Sequence, residues 1–290
     1  MSNLKIIFFG EDSFSNIVLT SLIKAGYNIP LVLSPLYDNN IHKRLELTAK
    51  NNSIEYIREK DINSGTVVQR IKNIKPDLLI TAHFQKLLKK ELINIPSIGC
   101  LNLHPSLLPM YRGMSPQHWP IINGDKKTGI TVHFIDEGID TGKIVLQREI
   151  ELTENMYVSD LQLIWTKEYQ TIMCDAVKLI SHPPPPLNII ENRGGSYYGK
   201  LRPEQCEIQI AQGIKYAYNL IRGVSKPYYG AYLYYESEKI IIWRAEIVNE
   251  KTETVPGNLF TKDGEKYLSF SDGTLLITKY ETRPKQGDSI

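Results

Sequence analysis

The run Leu101-Asn102-Leu103-His104 sets an amide and an imidazole two residues apart. A carboxylate, Asp140, follows within Asp136-Glu137-Gly138-Ile139-Asp140-Thr141-Gly142. In a strand, residues i and i+2 share a face, so Asn102 and His104 point the same way. An Asn amide donates to a developing oxyanion. A His accepts and returns a proton near neutrality. A carboxylate holds such a His in one tautomer and favours its charged form. The three groups suit acyl transfer to an amine through a tetrahedral intermediate. Spacing alone favours a structural reading, with Asn102 and His104 as satisfied polar groups at a strand end and Asp136 and Asp140 as loop caps. His133 reads as a structural residue of the strand Ile130–Ile135, and His42, His83, His118 and His182 have no comparable company.

A strand ending at His104 needs neighbours, and the preceding sequence supplies them. Leu4–Phe9 is a short apolar run, followed by a turn at Gly10-Glu11-Asp12. Ser13 is the expected N-cap of a helix whose Phe14, Ile17, Val18, Ser21 and Leu22 follow a helical period up to Gly26. Strands are expected at Ile29–Leu33, Ile54–Ile57, Asp77–Thr81 and Gly99–Leu103, and helices at His42–Lys50, Val67–Ile74 and Gln85–Ile93. This alternation predicts an α/β fold with an open, mostly parallel, Rossmann-like sheet. Ligands of such sheets bind outside the carboxyl ends of the strands, where His104 lies.

The pattern changes near residue 181. Ser181-His182-Pro183 through Pro186 reads as a stiff polyproline-like segment. A helix is expected over Glu207–Arg222, then short β-type runs at Gly230–Tyr235, Lys239–Val248, Gly257–Thr261, Tyr267–Phe270 and Leu275–Tyr280. The expected organisation is a catalytic domain over 1–185 and a smaller β-rich, barrel-like domain over 195–290, with the boundary between 183 and 196.

Bulk properties narrow the function classes. The chain has 290 residues, 42% of them hydrophobic, and a formal charge of +2. So slight a balance gives no electrostatic argument for a nucleic-acid partner. Cys100, Cys174 and Cys206 are far apart and not in metal-ligand spacing, so no metal is expected and a reduced cytoplasmic compartment is the default. The N-terminal apolar run is too short for a signal peptide or membrane span.

The segment N-L-H-P-S-L-L-P-x-Y-R-G (Asn102 to Gly113), followed by D-x-G-x-D-T-G (Asp136 to Gly142), resembles the signature of the 10-formyltetrahydrofolate-dependent formyltransferases. That family includes glycinamide ribonucleotide transformylase, methionyl-tRNA formyltransferase and the sugar N-formyltransferases. The resemblance covers roughly residues 4 to 180. It implies 10-formyltetrahydrofolate as formyl donor, with Asn102 stabilising the oxyanion, His104 moving protons and Asp140 tuning His104. It also implies donor contacts from Lys86, Leu87 and Leu88 and from the loop Asp136, Glu137, Gly138, Ile139 and Asp140. Ser106, Arg112, Gly113 and Met114 are candidate acceptor contacts, with Arg112 able to pair with a diphosphate.

The second half resembles the C-terminal domain shared by the tRNA enzyme and some sugar enzymes, at Tyr197–Leu201, Ile221–Gly230 and Ile242–Ala245. Two features speak against tRNA. The segment Ser34–His42 lacks the basic, Gly- and Lys-rich loop of the tRNA enzyme, and residues 191–290 hold 14 Lys and Arg against 13 Asp and Glu. A tRNA-gripping domain should be clearly basic. The expected acceptor is therefore an amino sugar linked to dTDP, UDP, GDP or CMP, of the kind used in O-antigen or related surface-glycan biosynthesis. A homodimer is expected, with no nucleic-acid or membrane partner. Alternatives are methionyl-tRNA formylation, hydrolysis of the formyl donor and a non-catalytic scaffold.

Overall fold

The computed structural model describes residues 4–37, 41–181, 192–248 and 254–284. The polyproline segment 182–186 lies outside the described residues. The chain divides into two compact units. One comprises Met1–Arg112, Gly129–Glu149 and Ile164–Tyr197, the other Gly113–Thr128, Ile150–Leu163 and Tyr198–Ile290. The expected boundary between 183 and 196 lies close to the last switch between units, at Tyr197/Tyr198, while Gly113–Thr128 and Ile150–Leu163, from the expected catalytic domain, group with the second unit. Such long-range partition leaves no mark on composition.

The elements run β1 (Lys5–Gly10), α1 (Ser13–Lys24), β2 (Asn28–Pro35), α2 (Lys43–Asn51), β3 (Glu55–Glu59), α3 (Gly65–Ile74), β4 (Leu78–Ala82), α4 (Lys90–Ile93), β5 (Gly99–His104) and β6 (Arg112–Gly113). Next come α5 (Trp119–Asn123), β7 (Lys127–Phe134), β8 (Ile144–Glu151), α6 (Val158–Glu168), α7 (Ile172–Ser181) and β9 (Tyr197–Tyr198). They form a seven-stranded sheet in the order β3-β2-β1-β4-β5-β7-β8. Strands β1 to β5 pair in parallel, and β7 is antiparallel to β5. The central strand β1 has Ile6, Ile7, Phe8 and Phe9 fully buried, the continuous apolar run of a strand covered on both faces. Helix α1 presents Val18, Leu19 and Leu22 to the core.

Two local expectations are corrected. The N-cap of α1 is Asp12, whose carboxylate accepts from the Phe14 and Ser15 amides, rather than Ser13. Only Lys90–Ile93 of the expected helix Gln85–Ile93 is helical. Residues 85–89 are held by side chains instead: Glu11 accepts from the Gln85 amide at 2.6 Å, and Asn63 accepts from the Lys89 amide at 2.7 Å.

The second unit contains α8 (Gly213–Val224) and β10 (Ala231–Tyr235), β11 (Glu238–Val248), β12 (Leu259–Lys262), β13 (Glu265–Phe270) and β14 (Gly273–Pro284). These strands form a five-stranded sheet, order β10-β11-β14-β13-β12, with antiparallel pairing throughout. Ala217, Leu220, Ile221 and Val224 of α8 join its core. Tyr235 of β10 donates to Asn258 Oδ1 at 3.0 Å, beside β12, so a side chain links the two edges. The expected helix Glu207–Arg222 begins later, at Gly213. Among the described residues no helix is long and apolar enough to cross a membrane.

Candidate active site

Register brings the polar groups together. Thr81 on β4 lies opposite Asn102 on β5, and Asn102 lies opposite His133 on β7. The Thr81 hydroxyl donates to Asn102 Oδ1 at 2.7 Å, which turns the Asn102 amide nitrogen toward His133 Nε2 at 3.1 Å. His133 Nδ1–H donates to the Phe134 carbonyl at 2.8 Å, leaving Nε2 to accept from Asn102. These partners assign the amide orientation and the tautomer. His133 is thus part of the polar network, against its reading as a merely structural strand residue. The antiparallel pairing that joins it to Asn102 spans 31 residues of sequence.

His104 is 4% exposed. Its Nε2–H donates to the Tyr111 carbonyl at 2.8 Å, and Nδ1 lies 3.5 Å from Asp140 Oδ2. Burial pushes the His104 pKa below its ordinary value, with Asp140 and the Tyr111 carbonyl opposing. The ring at rest is therefore neutral, with its lone pair at Nδ1. The other Asp140 oxygen lies 3.6 Å from His133 Nε2, so this carboxylate sits between two imidazoles.

Asp140 adopts φ 52°, a left-handed backbone that is costly outside glycine and persists where neighbours over-determine it. Those neighbours are present. The Asp140 carbonyl accepts from Arg112 Nε at 3.1 Å and from Asn192 Nδ2 at 2.8 Å. Arg112 also reaches the Asn192 carbonyl at 2.6 Å and Oδ1 at 2.9 Å. Asp136 Oδ1 accepts from the Gly138 amide at 3.0 Å and the Thr141 hydroxyl at 2.6 Å, closing the loop on itself.

A cleft beside Asn102, His133 and Asp140 is lined further by Thr81, Phe84, Lys86, Leu87, Leu88, Ile135, Asp136, Gly138 and Ile139. Every residue expected to contact the donor lines this cleft except Glu137, which instead pairs with Lys90 at 2.7 Å on the surface. Its apolar walls and polar end suit a flat heterocycle with polar edges.

The expected acceptor contacts are placed differently. Ser106 is fully buried, and its hydroxyl donates to the Met110 carbonyl at 2.7 Å, so it holds the turn after β5 instead of facing a ligand. The Arg112 guanidinium reaches Asp140 and Asn192 through Nε and Nη2. Gly113 ends β6, and the Met114 amide donates to the Tyr198 carbonyl at 2.9 Å. His83, expected to stand alone, has company: Nδ1 lies 3.4 Å from Asp12 Oδ2, and Nε2 lies 3.0 Å from the Tyr169 hydroxyl.

Residues 4–177 match the formyl transferase model, and residues 200–287 match that of the formyl transferase C-terminal domain. The chain belongs to the formyl transferase family. It is 31% identical to the methionyl-tRNA formyltransferase of Clostridioides difficile (strain 630), over 98% of this chain and 94% of that protein. Two solved structures share the fold. One is a sugar 3N-formyl transferase in the presence of dTDP and 5-N-formyl-THF (TM-score 0.70, 21% identity, 97% of this chain and 98% of that one). The other is the N-formyltransferase from Helicobacter canadensis in complex with folinic acid and dTDP-3-aminofucose (TM-score 0.71, 20% identity, 96% of this chain and 100% of that one). As a formyl transferase, the protein is a one-carbon transferase.

Proposed function

We propose that this formyl transferase carries the formyl group of 10-formyltetrahydrofolate to the amine of a nucleotide-linked deoxy amino sugar. The observation that supports this reading is that Asn102 and Asp140 line one cleft with His133 between them, and that buried His104 lies 3.5 Å from Asp140. Lys86, Leu87, Leu88 and the loop Asp136–Asp140 would hold the donor, which supplies an electrophilic formyl carbon.

The chain's own residues do the rest. Asn102, pinned by Thr81 and His133, offers its amide nitrogen to the oxygen that gains charge during acyl transfer, an effect typically worth about 100- to 1,000-fold. His104 is neutral at rest and accepts a proton at Nδ1. Asp140, 3.5 Å away, stabilises the imidazolium so formed. His104 then returns that proton to the departing nitrogen. General acid–base transfer of this kind contributes about 100- to 10,000-fold.

The acceptor reading rests on charge. The C-terminal hundred residues carry 14 basic against 13 acidic side chains, too even a balance for gripping a polyanion. A second reading, formylation of methionyl-tRNA, is favoured by the 31% identity to a protein of that name. The deciding test offers purified protein and 10-formyltetrahydrofolate a panel of dTDP-, UDP-, GDP- and CMP-linked amino sugars and methionyl initiator tRNA. Formylation of a nucleotide amino sugar is expected. Formylation of the tRNA alone overturns the choice of acceptor.

A further inference from the structure

The sheet order β3-β2-β1-β4-β5 reverses direction between β1 and β4. In open α/β sheets this switch point opens a crevice at the carboxyl ends of the two strands, and ligands bind there. Two titratable side chains follow these strands at that end. Asp12 follows β1, and His83 follows β4. Neither belongs to the donor cleft, whose lining takes Phe84 and Lys86 from the same turn but not His83.

Strand register sets these residues beside the catalytic ones. Gly10 pairs with Ala82, and Ala82 pairs with Leu103. One residue further along, His104 ends β5 while His83 leaves β4 in a left-handed turn (φ 46°), so the two imidazoles sit at the same end of adjacent strands. The order across the sheet edge is therefore Asp12, His83, His104, Asp140: a second carboxylate–imidazole pair next to the first.

The second pair is tightly built. Asp12 Oδ1 caps α1, accepting from the Phe14 and Ser15 amides at 3.0 Å each. Its other oxygen is not needed for that cap and faces His83 Nδ1 at 3.4 Å. His83 is fixed in turn by the Tyr169 hydroxyl at 3.0 Å and by stacking on Phe14 at 4.9 Å between centroids. The Asp12 side chain nevertheless remains 34% exposed. The neighbouring carboxylate, Glu11, is buried and engaged with the Gln85 amide, so it offers no comparable open face. The contact with His83 favours the ionised form of Asp12, against the cost of burial.

We infer that Asp12 recognises the amino group of the acceptor as its ammonium ion, and that His83 is the positioning residue that aims this carboxylate. The inference rests on the amine-formylating reading above and assigns the specificity of that site. A primary amine on a sugar is largely protonated at neutral pH, so such an acceptor arrives as a cation and releases one proton to solvent before its nitrogen attacks; the second proton is the one that His104 takes and returns. A fixed, partly open carboxylate at the switch point, one strand from His104, selects it over the corresponding alcohol. The titratable and charged groups around His83 are Asp12 and Glu11 after β1, Tyr169 after α6, and His104 at the end of β5.

The test compares wild type with Asp12→Asn, which keeps an oxygen for the helix cap and removes only the charge. Calorimetry measures binding of dTDP-3-aminofucose and of dTDP-fucose, which carries a hydroxyl in place of the amine. Wild type is expected to bind the amine at least tenfold tighter at pH 7, and Asp12→Asn to bind the two within twofold. The acceptor KM of Asp12→Asn should rise about tenfold at pH 7, with donor KM unchanged, and the rise should vanish above the pKa of the amine. His83→Gln should give a smaller rise with the same pH dependence. A pH-dependent KM effect is internal to each variant and does not depend on how much protein folds. Undiminished amine preference in Asp12→Asn, or a KM rise equal at all pH values, overturns the inference and leaves Asp12 a helix cap only. Should only methionyl-tRNA be formylated, the choice of acceptor fails but the inference does not. The same KM–pH comparison is then made on methionyl-tRNA, which also presents a primary amine.

Discussion

The amide nitrogen of Asn102 lies 3.1 Å from Nε2 of His133, across the only antiparallel step described between β5 and its neighbours. Because Thr81 holds the amide oxygen at 2.7 Å, the two contacts fix the plane of the group that faces the reacting oxygen. His133→Leu should therefore lower kcat about tenfold by loosening Asn102, with both KM values within twofold. Asn102→Ala should cost about 100- to 1,000-fold, the usual loss for one such donor. Since His133 acts through Asn102, the double variant should be no slower than Asn102→Ala. Additive losses in steady-state kinetics would show that His133 has a separate role.

The loop carrying Asp140 closes at Gly142. A methyl group there would be driven into the backbone carbonyl of Phe134, a partner that cannot swing aside. Gly142→Ala should shift Asp140 relative to His104 and reduce kcat more than 100-fold, since misplacements near 1 Å have that scale of effect. Near-normal turnover would show that the loop relaxes without moving the carboxylate.

How much of this was legible in the sequence depends on the range of the interactions involved. Strands such as β1 and β5 were visible because they are short apolar runs bounded by turns, and Asn102 and His104 were visible because they are neighbours on one strand. The role of His133 was not, because it comes from pairing between distant strands, and nothing in Ile130–Ile135 marks that partner. Residues 85–89 have a helical pattern but are captured by Glu11 and Asn63, whose contacts span 74 and 26 positions. Ser13 is as good a cap by composition as Asp12; only the backbone turn after β1 decides between them. Arg112 reads as a free cation until its partners, Asp140 and Asn192, are brought back by the fold.

Arg112 supplies a test of that last point. Its guanidinium spans the Asp140 carbonyl and two Asn192 oxygens, a geometry that a lysine ammonium cannot reproduce. Arg112→Lys should lower kcat about tenfold and destabilise the fold by about 1.5–3 kcal/mol, the scale of a charged hydrogen bond. The Kd of dTDP should stay within twofold of wild type. A large loss of dTDP affinity with unchanged kcat would return Arg112 to the role of diphosphate ligand.

Acid stability should report on His118. This side chain, at the N-cap of α5, is buried and its Nδ1 lies 2.7 Å from the Gly223 carbonyl of α8. Burial pushes its pKa from 6.5 down to about 4. In the unfolded chain the ring protonates near the ordinary value, whereas in the folded chain it stays neutral until much lower pH. The folded state therefore binds fewer protons between these values. Stability is unaffected above about pH 6.5 and falls as pH drops toward 4, by about 3 kcal/mol in all. Some 2 kcal/mol of that, roughly, should appear between pH 7.5 and 5.0. Urea unfolding at those two pH values should show a clear loss for wild type and a loss smaller by this amount for His118→Asn, whose amide does not titrate. Equal losses in the two proteins would mean that His118 takes up its proton in the folded state as readily as in the unfolded one.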